Sequence, residues 1–236
     1  MQERIQKLIA RAGLASRRQA EELIKQGRVK LNNRPAQLGQ SADLKVDQIT
    51  VNGVPLVAEQ KKVTVLLNKP RGYVCSLKDP EGRALVTDLV KDIPERLFPV
   101  GRLDYNSEGL LLLTNDGDLS HALSHPGKHV DKTYLVKVRG HLTPAIIDQM
   151  RQGMQLDDGK TAPAQVENVR SSGGNYWFEM TLHEGRNRQI RRMCEQCGLI
   201  VVRLKRIRLG ILTLDGVKPG QYRQLTTAEI RRLLGK

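Results

Sequence analysis

The chain has 236 residues, which is enough for one large domain or two modest ones with a core that needs neither a metal nor disulfides. Its 39 Lys and Arg against 25 Asp and Glu give a net charge of +14, which favours nucleic acid or an anionic membrane surface as a partner over a small neutral substrate. No apolar run approaches the roughly 20 residues that span a bilayer, and the first residues lack the apolar stretch of a signal peptide, so we expect a cytoplasmic protein.

The positive charge is concentrated at the two ends of the chain. Residues 1–60 carry 10 basic and 6 acidic side chains, and residues 181–236 carry 13 and 4, whereas the middle is almost balanced. A patch of this kind is favoured by a phosphate backbone, because each contact releases counterions. Charge runs on their own are more often solvated faces, so the pattern needs support from motifs.

Two short helices are predicted at the start of the chain. The first begins near Ile5 and ends at Gly13, where a glycine can adopt the left-handed conformation that terminates helices. The second begins with Ser16 and Gln19, which form a capping-box signature, and ends at Gly27. Basic side chains fall on the outer face of the second helix.

Short strands follow this helix pair. Val29–Leu31 predicts a strand that leads into a turn at residues 32–33, and Ile49–Val51 leads into Asn52-Gly53, a strong hairpin signal. The order of these elements and the sequence of residues 14–24 and 27–32 resemble the S4 RNA-binding domain. Residues 1–58 are therefore expected to form such a domain. The resemblance implies RNA contact through the second helix and the loop after it; the candidate phosphate contacts are Arg17, Arg18, Lys25, Arg28 and Lys30.

The remainder of the chain predicts a second domain, residues 63–236, after a linker at residues 59–62 where the pattern turns polar. Strands are expected at residues 63–67, 110–114, 133–138, 176–182 and 201–209, and helices near residues 119–124, 144–150, 188–197 and 228–234. Thr226 and Glu229 supply a capping box for the last helix. Because no regular βαβ repeat and no glycine-rich phosphate loop occur, we predict an α+β domain with a mixed, largely antiparallel sheet and flanking helices.

The stretch Gly101–Gly117 is the most informative for chemistry. Asp104 lies in a glycine-flanked loop just before an intensely apolar strand, which would hold the carboxylate at a cleft. Arg102 beside it would favour the ionised form. From the residues alone, a simple loop cap or an ion pair with Arg102 explains Asp104 better than catalysis does.

Residues 101–104, with residues 107–111 after them, resemble the catalytic motif of the pseudouridine synthases that also carry an N-terminal S4 domain. The resemblance extends over nearly the whole chain, through the S4 segment, residues 68–72, residues 132–136 and residues 184–193. The sequence of residues 101–117 and 184–193 is more similar to that of the large-subunit synthases of the B type than to that of the small-subunit enzyme. The resemblance therefore implies an isomerase that converts a uridine of ribosomal RNA, of the 23S type, to pseudouridine.

The resemblance also implies roles for particular residues. Asp104 is the catalytic carboxylate, Tyr134 stacks on the flipped base, and Arg191 pairs with the carboxylate. Leu204 packs against the pocket, and Arg102 is expected beside the substrate. The residues alone also fit a strand-face aromatic for Tyr134, a solvated helix charge for Arg191 and ordinary core for Leu204. Further RNA contacts are expected from Lys69, Arg71, Arg186, Arg188 and Arg192, and more loosely from Arg203, Lys205, Arg206 and Arg208.

No cofactor or metal is expected, because the reaction breaks an N1–C1′ bond and forms a C5–C1′ bond without a redox step. Cys194 and Cys197 have no second pair or histidine cluster to complete a zinc site, so we interpret them as small residues near a packed face. His121, His125 and His129 are interpreted as surface or RNA-facing residues, since a proline and a glycine interrupt any helix that would bring them together.

Two other functions compete with the isomerase. An RNA-binding factor of ribosome assembly could retain the fold as a scaffold, but it would have no need for Asp104, Tyr134 and Arg191 together. A DNA-binding regulator is disfavoured, because the helix pair lacks a heptad run for dimerisation. We expect a monomer whose partner is ribosomal RNA, alone or within an assembling large subunit, and no membrane partner.

Overall fold

The computed structural model describes residues 2–56, 60–124 and 130–235. They form two compact units, one of the described residues up to 63 with the short pieces 93–96 and 115–117, and one of the other described residues. The expected linker, residues 59–62, lies partly outside the described residues, as do His125 and His129, whereas His121 is exposed on a helix. No helix among the described residues has the length and apolar character needed to cross a membrane.

The first unit contains two helices and six short strands. Its elements are β1 (Glu3–Arg4), α1 (Ile5–Arg11), α2 (Arg17–Lys25), β2 (Val29–Leu31), β3 (Arg34–Pro35), β4 (Ser41–Ala42), β5 (Ile49–Val51) and β6 (Val54–Pro55). Strands β3-β2-β5-β6 form an antiparallel sheet, and β1 pairs with β4. Ile5, Ile9, Ala20, Val29 and Ile49 are fully or almost fully buried in the core between helices and sheet.

Local signals in the sequence account for the boundaries of both helices. The side chain of Ser16 accepts the backbone N–H of Gln19, while the side chain of Gln19 accepts the N–H of Ser16, so the predicted capping box is confirmed. Gly13 and Gly27 adopt φ of +76° and +69° just after the two helices. The predicted helix pair and the strands that follow it are therefore confirmed.

The second unit is built on one large sheet with helices packed against it. In chain order it contains β7 (Thr64–Lys69), a 3-10 helix (Val86–Val90), β8 (Phe98–Val100), β9 (Glu108–Thr114), α3 (Gly117–Ser124), β10 (Lys132–Arg139), α4 (Pro144–Gln152), β11 (Gln155–Leu156), β12 (Gly159–Lys160), β13 (Gln165–Ser172), β14 (Asn175–Leu182), α5 (Gln189–Gln196), β15 (Ile200–Leu209), β16 (Leu212–Thr213), β17 (Tyr222–Gln224) and α6 (Thr227–Leu233). The main strand order is β13-β14-β10-β15-β9-β7-β17.

This sheet is mixed, as predicted, because β15 runs parallel to β9 while the other pairs are antiparallel. The parallel junction joins Gly109 to Arg206, and a Cβ on Gly109 would lie 2.2 Å from the backbone oxygen of Arg206. Gly109 also has φ of +101°. Only glycine fits there, so this residue lets the two halves of the sheet meet directly behind the loop that carries Asp104.

The core of the second unit explains the apolar run before residue 115. Leu110, Leu111, Leu112 and Leu113 are completely buried, because both faces of β9 are covered. On one side the strand packs against α3, α6 and the loop after β16. A strand buried on both faces is a rigid support, and it begins four residues after Asp104.

Candidate active site

Asp104 lies in the short loop between β8 and β9. Gly101, with φ of +70°, turns the chain after β8, and the backbone oxygen of Asp104 accepts the N–H of Ser107 at 3.0 Å to close a tight turn. The Asp104 side chain is 30% exposed, whereas Ser107 is buried. The loop thus presents a carboxylate that is open to a substrate on an anchored backbone.

Two guanidinium groups flank this carboxylate. Nε of Arg191, on α5, lies 3.4 Å from Asp104 Oδ2, and Nη1 of Arg188 lies 3.5 Å from the same oxygen. Nη2 of Arg191 also donates to Ser107 Oγ at 3.3 Å. The structure therefore brings Asp104 and Arg191 together, and it adds Arg188, which the sequence placed only among the RNA contacts.

Arg102 does not form the predicted ion pair with Asp104. The Arg102 side chain is exposed, and among the described residues Asp104 forms its ion pairs with Arg191 and Arg188 instead. The prediction that Arg102 holds Asp104 in its ionised form is wrong. The reason is the turn at residues 101–107, which directs the carboxylate towards the start of α5.

The environment of Arg191 is unusual for an arginine. Burial lowers the pKa of Arg191, the Asp104 carboxylate opposes that shift, and the neighbouring charge of Arg188 adds to it. Buried Nε of Arg191 is near Asp104 but is not aligned for a hydrogen bond, and it has no acceptor among the described residues. A donor left over beside the carboxylate can serve a group that enters the site.

Arg188 adopts a backbone conformation that is rare for its type. It precedes the first residue of α5 with φ of +48° and ψ of +31°, in the left-handed region. Such a conformation costs a non-glycine residue about 1–2 kcal/mol. Arg188 nevertheless occupies this position, and its guanidinium reaches Asp104, so the loop before α5 is held in an unfavourable local conformation at the site.

Lys69, at the end of β7, is completely buried beneath the Asp104 loop. Its ammonium donates to the backbone oxygens of Ser107 at 2.8 Å, Pro70 at 3.1 Å, Asp104 at 3.2 Å and Tyr105 at 3.3 Å. Burial lowers the pKa of Lys69, and the negative charges of nearby groups oppose the shift. The predicted RNA contact of Lys69 is therefore wrong: this cation has no surface for a phosphate, and it organises the loop instead.

Glu108, the first residue of β9, is clamped between two arginines. Its Oε1 accepts Nε of Arg71 at 2.7 Å and Nε of Arg203 at 3.0 Å, while Oε2 accepts Nη2 of Arg203 at 2.8 Å. Burial raises the pKa of Glu108, but the hydrogen bonds from Arg203 and Arg71 lower it overall. Arg71 and Arg203 remain about half exposed, so both can still face a ligand.

Tyr134 and Leu204 lie on neighbouring strands, β10 and β15, of the central sheet. Tyr134 is half-buried and packs against the core that contains Leu204 and Val136. Opposite Tyr134 on β15 is Arg206, which is almost completely buried and donates from Nε to the backbone oxygen of Leu110 at 2.7 Å. The looser expectation that Arg206 contacts RNA is therefore wrong, because its side chain lies inside the protein.

Arg186 and Arg192 connect the start of α5 to the β11–β12 hairpin. Arg192 makes a two-point contact with Asp158 at 2.9 and 3.0 Å. Arg186 donates to Glu184 at 3.0 Å and to backbone oxygens of residues 158–160. These contacts hold the loop before α5 in place, and both side chains keep about a quarter of their surface exposed, so their contact with RNA stays a prediction.

The cysteines behave as packed thiols. Cys194 is completely buried, and burial raises its pKa to about 12, whereas Cys197 is partly exposed at the end of α5. Both are free. Sequence reasoning overlooked Cys75, whose sulfur accepts the N–H of Leu103 at 3.4 Å, next to Asp104.

In the first unit, the five predicted phosphate contacts are all exposed. Arg17 and Arg18 occupy the first turn of α2, Lys25 is in its last turn and pairs with Glu22 at 2.7 Å, and Lys30 is on β2. Arg28 lies in the loop between α2 and β2. Their side chains are therefore accessible to a polyanion.

Comparisons with known proteins agree with this architecture. Residues 63–196 match the family described as RNA pseudouridylate synthase, and residues 3–42 match the S4 domain. The chain is 46% identical to a ribosomal large subunit pseudouridine synthase B of Bacillus subtilis (strain 168), covering 98% of this chain and 95% of that protein. It is 44% identical to an uncharacterized RNA pseudouridine synthase of Aquifex aeolicus (strain VF5), with coverage of 99% and 94%.

A solved structure is also similar to the chain. The crystal structure of a pseudouridylate synthase superposes with a TM-score of 0.69 at 32% identity, covering 98% of this chain and 99% of that one. The mixed sheet, the preceding S4 unit and the carboxylate loop define an S4-containing RNA-modifying enzyme. This chain belongs to the RNA pseudouridylate synthase family.

Proposed function

We propose that this enzyme isomerises a uridine of large-subunit ribosomal RNA to pseudouridine, with Asp104 as the catalytic carboxylate. The proposal is carried by one observation: in a member of the pseudouridylate synthase family, the partly exposed carboxylate of an anchored loop is contacted by Arg191 and Arg188. The large-subunit RNA is inferred from the name of the Bacillus subtilis relative, which is similar over nearly its full length.

The chemistry fits a single carboxylate. The N1–C1′ bond of the uridine breaks, the uracil turns within the site, and C5 bonds to C1′. The hydrogen on C5 leaves as a proton, and N1 gains a proton, so atoms and charge balance without an oxidant or a reductant. Asp104 would attack or deprotonate the ribose, which carboxylates do in related glycosyl chemistry.

The two arginines support this role of Asp104 in different ways. Arg191 is the more buried, with a side chain 15% exposed against 53% for Arg188. A buried guanidinium beside a carboxylate restrains the orientation of the carboxylate through charge-assisted contacts. We therefore assign Arg191 to aligning Asp104, and Arg188 to the exposed rim, where it can also meet a phosphate of the RNA.

Tyr134 and Leu204 are proposed to receive the uracil. The target base must leave its stack, at a cost of a few kcal/mol, and stacking on an aromatic ring repays part of that cost. Tyr134 is half-buried, so part of the residue is accessible, and Leu204 supplies an apolar neighbour from the adjacent strand. Arg102, which is exposed on the Asp104 loop, is proposed to contact the RNA backbone instead of the carboxylate.

Residues 1–58 are proposed to hold the RNA, and residues 63–236 to catalyse the reaction. The exposed cations of α2 support this division of roles, because the side chains of Arg17 and Arg18 are exposed in its first turn. Replacing both with glutamate should preserve the helix, since acidic residues are favoured in a first turn. Binding should weaken, and its dependence on salt should flatten, relative to a matched double charge reversal at exposed Arg34 and Lys45. An unchanged salt dependence would contradict the division.

Release of tritium from RNA that carries tritium at uridine C5 tests the reaction. Fragments of large-subunit and small-subunit ribosomal RNA are compared as substrates, because forming the C5–C1′ bond must expel the hydrogen. We expect release from the large-subunit fragment alone. Release from the small-subunit fragment alone would overturn the proposed substrate, and tight binding without release from either RNA, free or within assembling subunits, would favour a scaffold.

A further inference from the structure

A row of four side chains crosses the sheet on one face of strands β13, β14, β10 and β15. Residues paired directly in register lie on the same side of a sheet. Arg170 is paired with Trp177, Trp177 with Lys137, and Lys137 with Arg203. Three cations and the single tryptophan of the chain therefore form one line, which we call the tryptophan row.

The row depends on an irregularity in β13. The pairing of β13 with β14 shifts between Glu167 and Arg170, where Asn168 adopts φ of +54°. One extra residue in a strand exchanges the two faces from that point onward. Without this bulge, the side chain of Arg170 would lie on the opposite face from Trp177, so the bulge is what completes the row.

The central part of the row lines an open groove of about 500 Å³. Trp177, Lys137 and Arg203 line it together with Pro70, Arg71 and Pro219, among others. Trp177 is only partly buried, and the ammonium of Lys137 lies 5.3 Å from the centre of its ring. A lysine on a flexible stem can leave the ring for a phosphate when a base stacks on the indole.

The charge of the groove suits a polyanion. Neither Lys137 nor Arg170 has an ion-pair partner among the residues that the structure describes. Arg203 shares Glu108 with Arg71, so one carboxylate faces two guanidinium groups. The row and the arginine clamp together carry four cations against one anion, and aromatic rings between cations are the usual surface for unpaired nucleotides.

The groove and the Asp104 loop are carried by the same two segments of the chain. Glu108 begins the strand that directly follows the Asp104 loop, and Arg71 lies two residues after Lys69, whose ammonium holds that loop. Lys137 is three residues from Tyr134 on β10, so the tryptophan row and Tyr134 lie on opposite faces of the sheet. A strand of RNA that leaves the target uridine reaches the row by turning round the start of β9, past Glu108 and Arg71. Strands lie about 4.8 Å apart, so the row spans roughly 14 Å, or two to three nucleotides.

We propose that the tryptophan row binds unpaired nucleotides that flank the target uridine, with one base stacked on Trp177 and phosphates held by Lys137, Arg170 and Arg203. This inference rests on the proposed function, since it assigns part of the same RNA. It makes Trp177 a binding residue for the substrate, outside the pocket that receives the uracil.

The single tryptophan allows a direct measurement. Intrinsic fluorescence is recorded while the protein is titrated with the RNA fragment that supports tritium release, and binding is followed in parallel by anisotropy of labelled RNA. We expect the fluorescence of Trp177 to be quenched in step with binding. Fluorescence that stays constant when anisotropy shows saturation would overturn the inference, while tritium release in the same samples would leave the proposed function intact.

Variants of the row separate binding from folding. Lys137→Gln with Arg170→Gln should raise KM, leave kcat nearly unchanged, and make the slope of log K against log salt less negative by about 1.4, which is 0.7 for each lost contact with a single strand. The matched control is Lys91→Gln with Arg232→Gln, which removes two exposed charges elsewhere in the same unit. Equal KM values and slopes for the two pairs would contradict the proposal.

Replacement of Trp177 tests stacking itself. Trp177→Leu should weaken RNA binding roughly tenfold, whereas Trp177→Phe should restore most of the affinity, because phenylalanine also offers a ring for stacking. Thermal unfolding of both variants reports any loss of folding. If leucine and phenylalanine bound RNA equally well in folded protein, stacking on residue 177 would be excluded.

Discussion

Replacing Lys69 with methionine is the most revealing perturbation of the Asp104 loop. Methionine fills a similar volume but cannot donate a hydrogen bond to the four carbonyl oxygens that surround the ammonium. The oxygen of Ser107 is buried and would remain without a partner, whereas those of Asp104 and Tyr105 are partly buried and can be reached by water.

The expected loss in the free energy of unfolding follows from these hydrogen bonds. A buried acceptor left unsatisfied costs about 1–3 kcal/mol, and hydrogen bonds to a charged donor contribute about 1.5–3 kcal/mol each before the desolvation of the ammonium is deducted. Burial lowers the pKa of Lys69, so that deduction is substantial. We expect a net loss of about 3 kcal/mol in the free energy of unfolding, or roughly 6–12 °C in the melting temperature of a unit of this size.

Two assays measure the effect of Lys69→Met on stability and on catalysis. Denaturant unfolding gives the free-energy difference between Lys69→Met and a control, Lys91→Met, which removes an exposed lysine. Tritium release should show a kcat about tenfold or more below the control with a similar KM, because the backbone that carries Asp104 has lost its anchor. If the two variants unfolded within about 0.5 kcal/mol of each other, the ammonium would not be what holds the loop.

Three further outcomes are expected. Gly109→Ala should destabilise the second unit by more than about 3 kcal/mol in denaturant unfolding, because its Cβ would meet the backbone of Arg206 at 2.2 Å; a loss below 1 kcal/mol would contradict the close approach. Arg188→Gly should raise the melting temperature, by relieving about 1 kcal/mol of backbone strain, and lower the rate of tritium release; a lower melting temperature would count against the strain. Glu229→Gln should lower the free energy of unfolding by about 1 kcal/mol at pH 7, and the difference from wild type should disappear as the pH falls from about 4.5 towards 2. A difference that does not depend on pH, measured by denaturant unfolding, would contradict an ionised Glu229.

The sign of the last effect follows from the pKa. Hydrogen bonds from the side chain of Arg223 and the backbone of Thr226 lower the pKa of Glu229 from 4.5 to about 2 in the folded protein. The unfolded chain therefore binds a proton first as the pH falls. The stabilisation is complete above the unfolded pKa and is lost as the folded carboxylate becomes protonated.

Helix boundaries could be predicted from the sequence because the interactions that define them are local. The capping boxes at Ser16 and at Thr226 involve residues three positions apart, and each formed as predicted. The glycines after α1 and α2 act through their own backbone conformation. The mixed character of the large sheet was also predicted, although the eight-residue strand β13, which alternates poorly, was missed.

The predictions for Lys69, Arg206 and Arg188 failed or were incomplete because they depend on contacts between residues far apart in the sequence. Lys69 belongs to a polar, turn-like stretch, and nothing local indicates that β7 carries it beneath residues 104–107. The charge of Arg206 likewise suggests a surface, but the parallel pairing of β15 with β9 buries it. Arg188 could not be paired with Asp104 from sequence, because its position depends on a positive φ.

The most direct test of the central claim is the rate of tritium release by Asp104→Asn, measured at saturating RNA beside Asp157→Asn, which makes the same change at an exposed position in the same unit. The asparagine at 104 keeps the shape of the side chain but loses its charge, so the rate should fall by about 10⁴-fold or more while RNA affinity stays nearly the same. Asp157→Asn should retain the wild-type rate. If Asp104→Asn released tritium as fast as Asp157→Asn, Asp104 would not be the catalytic carboxylate.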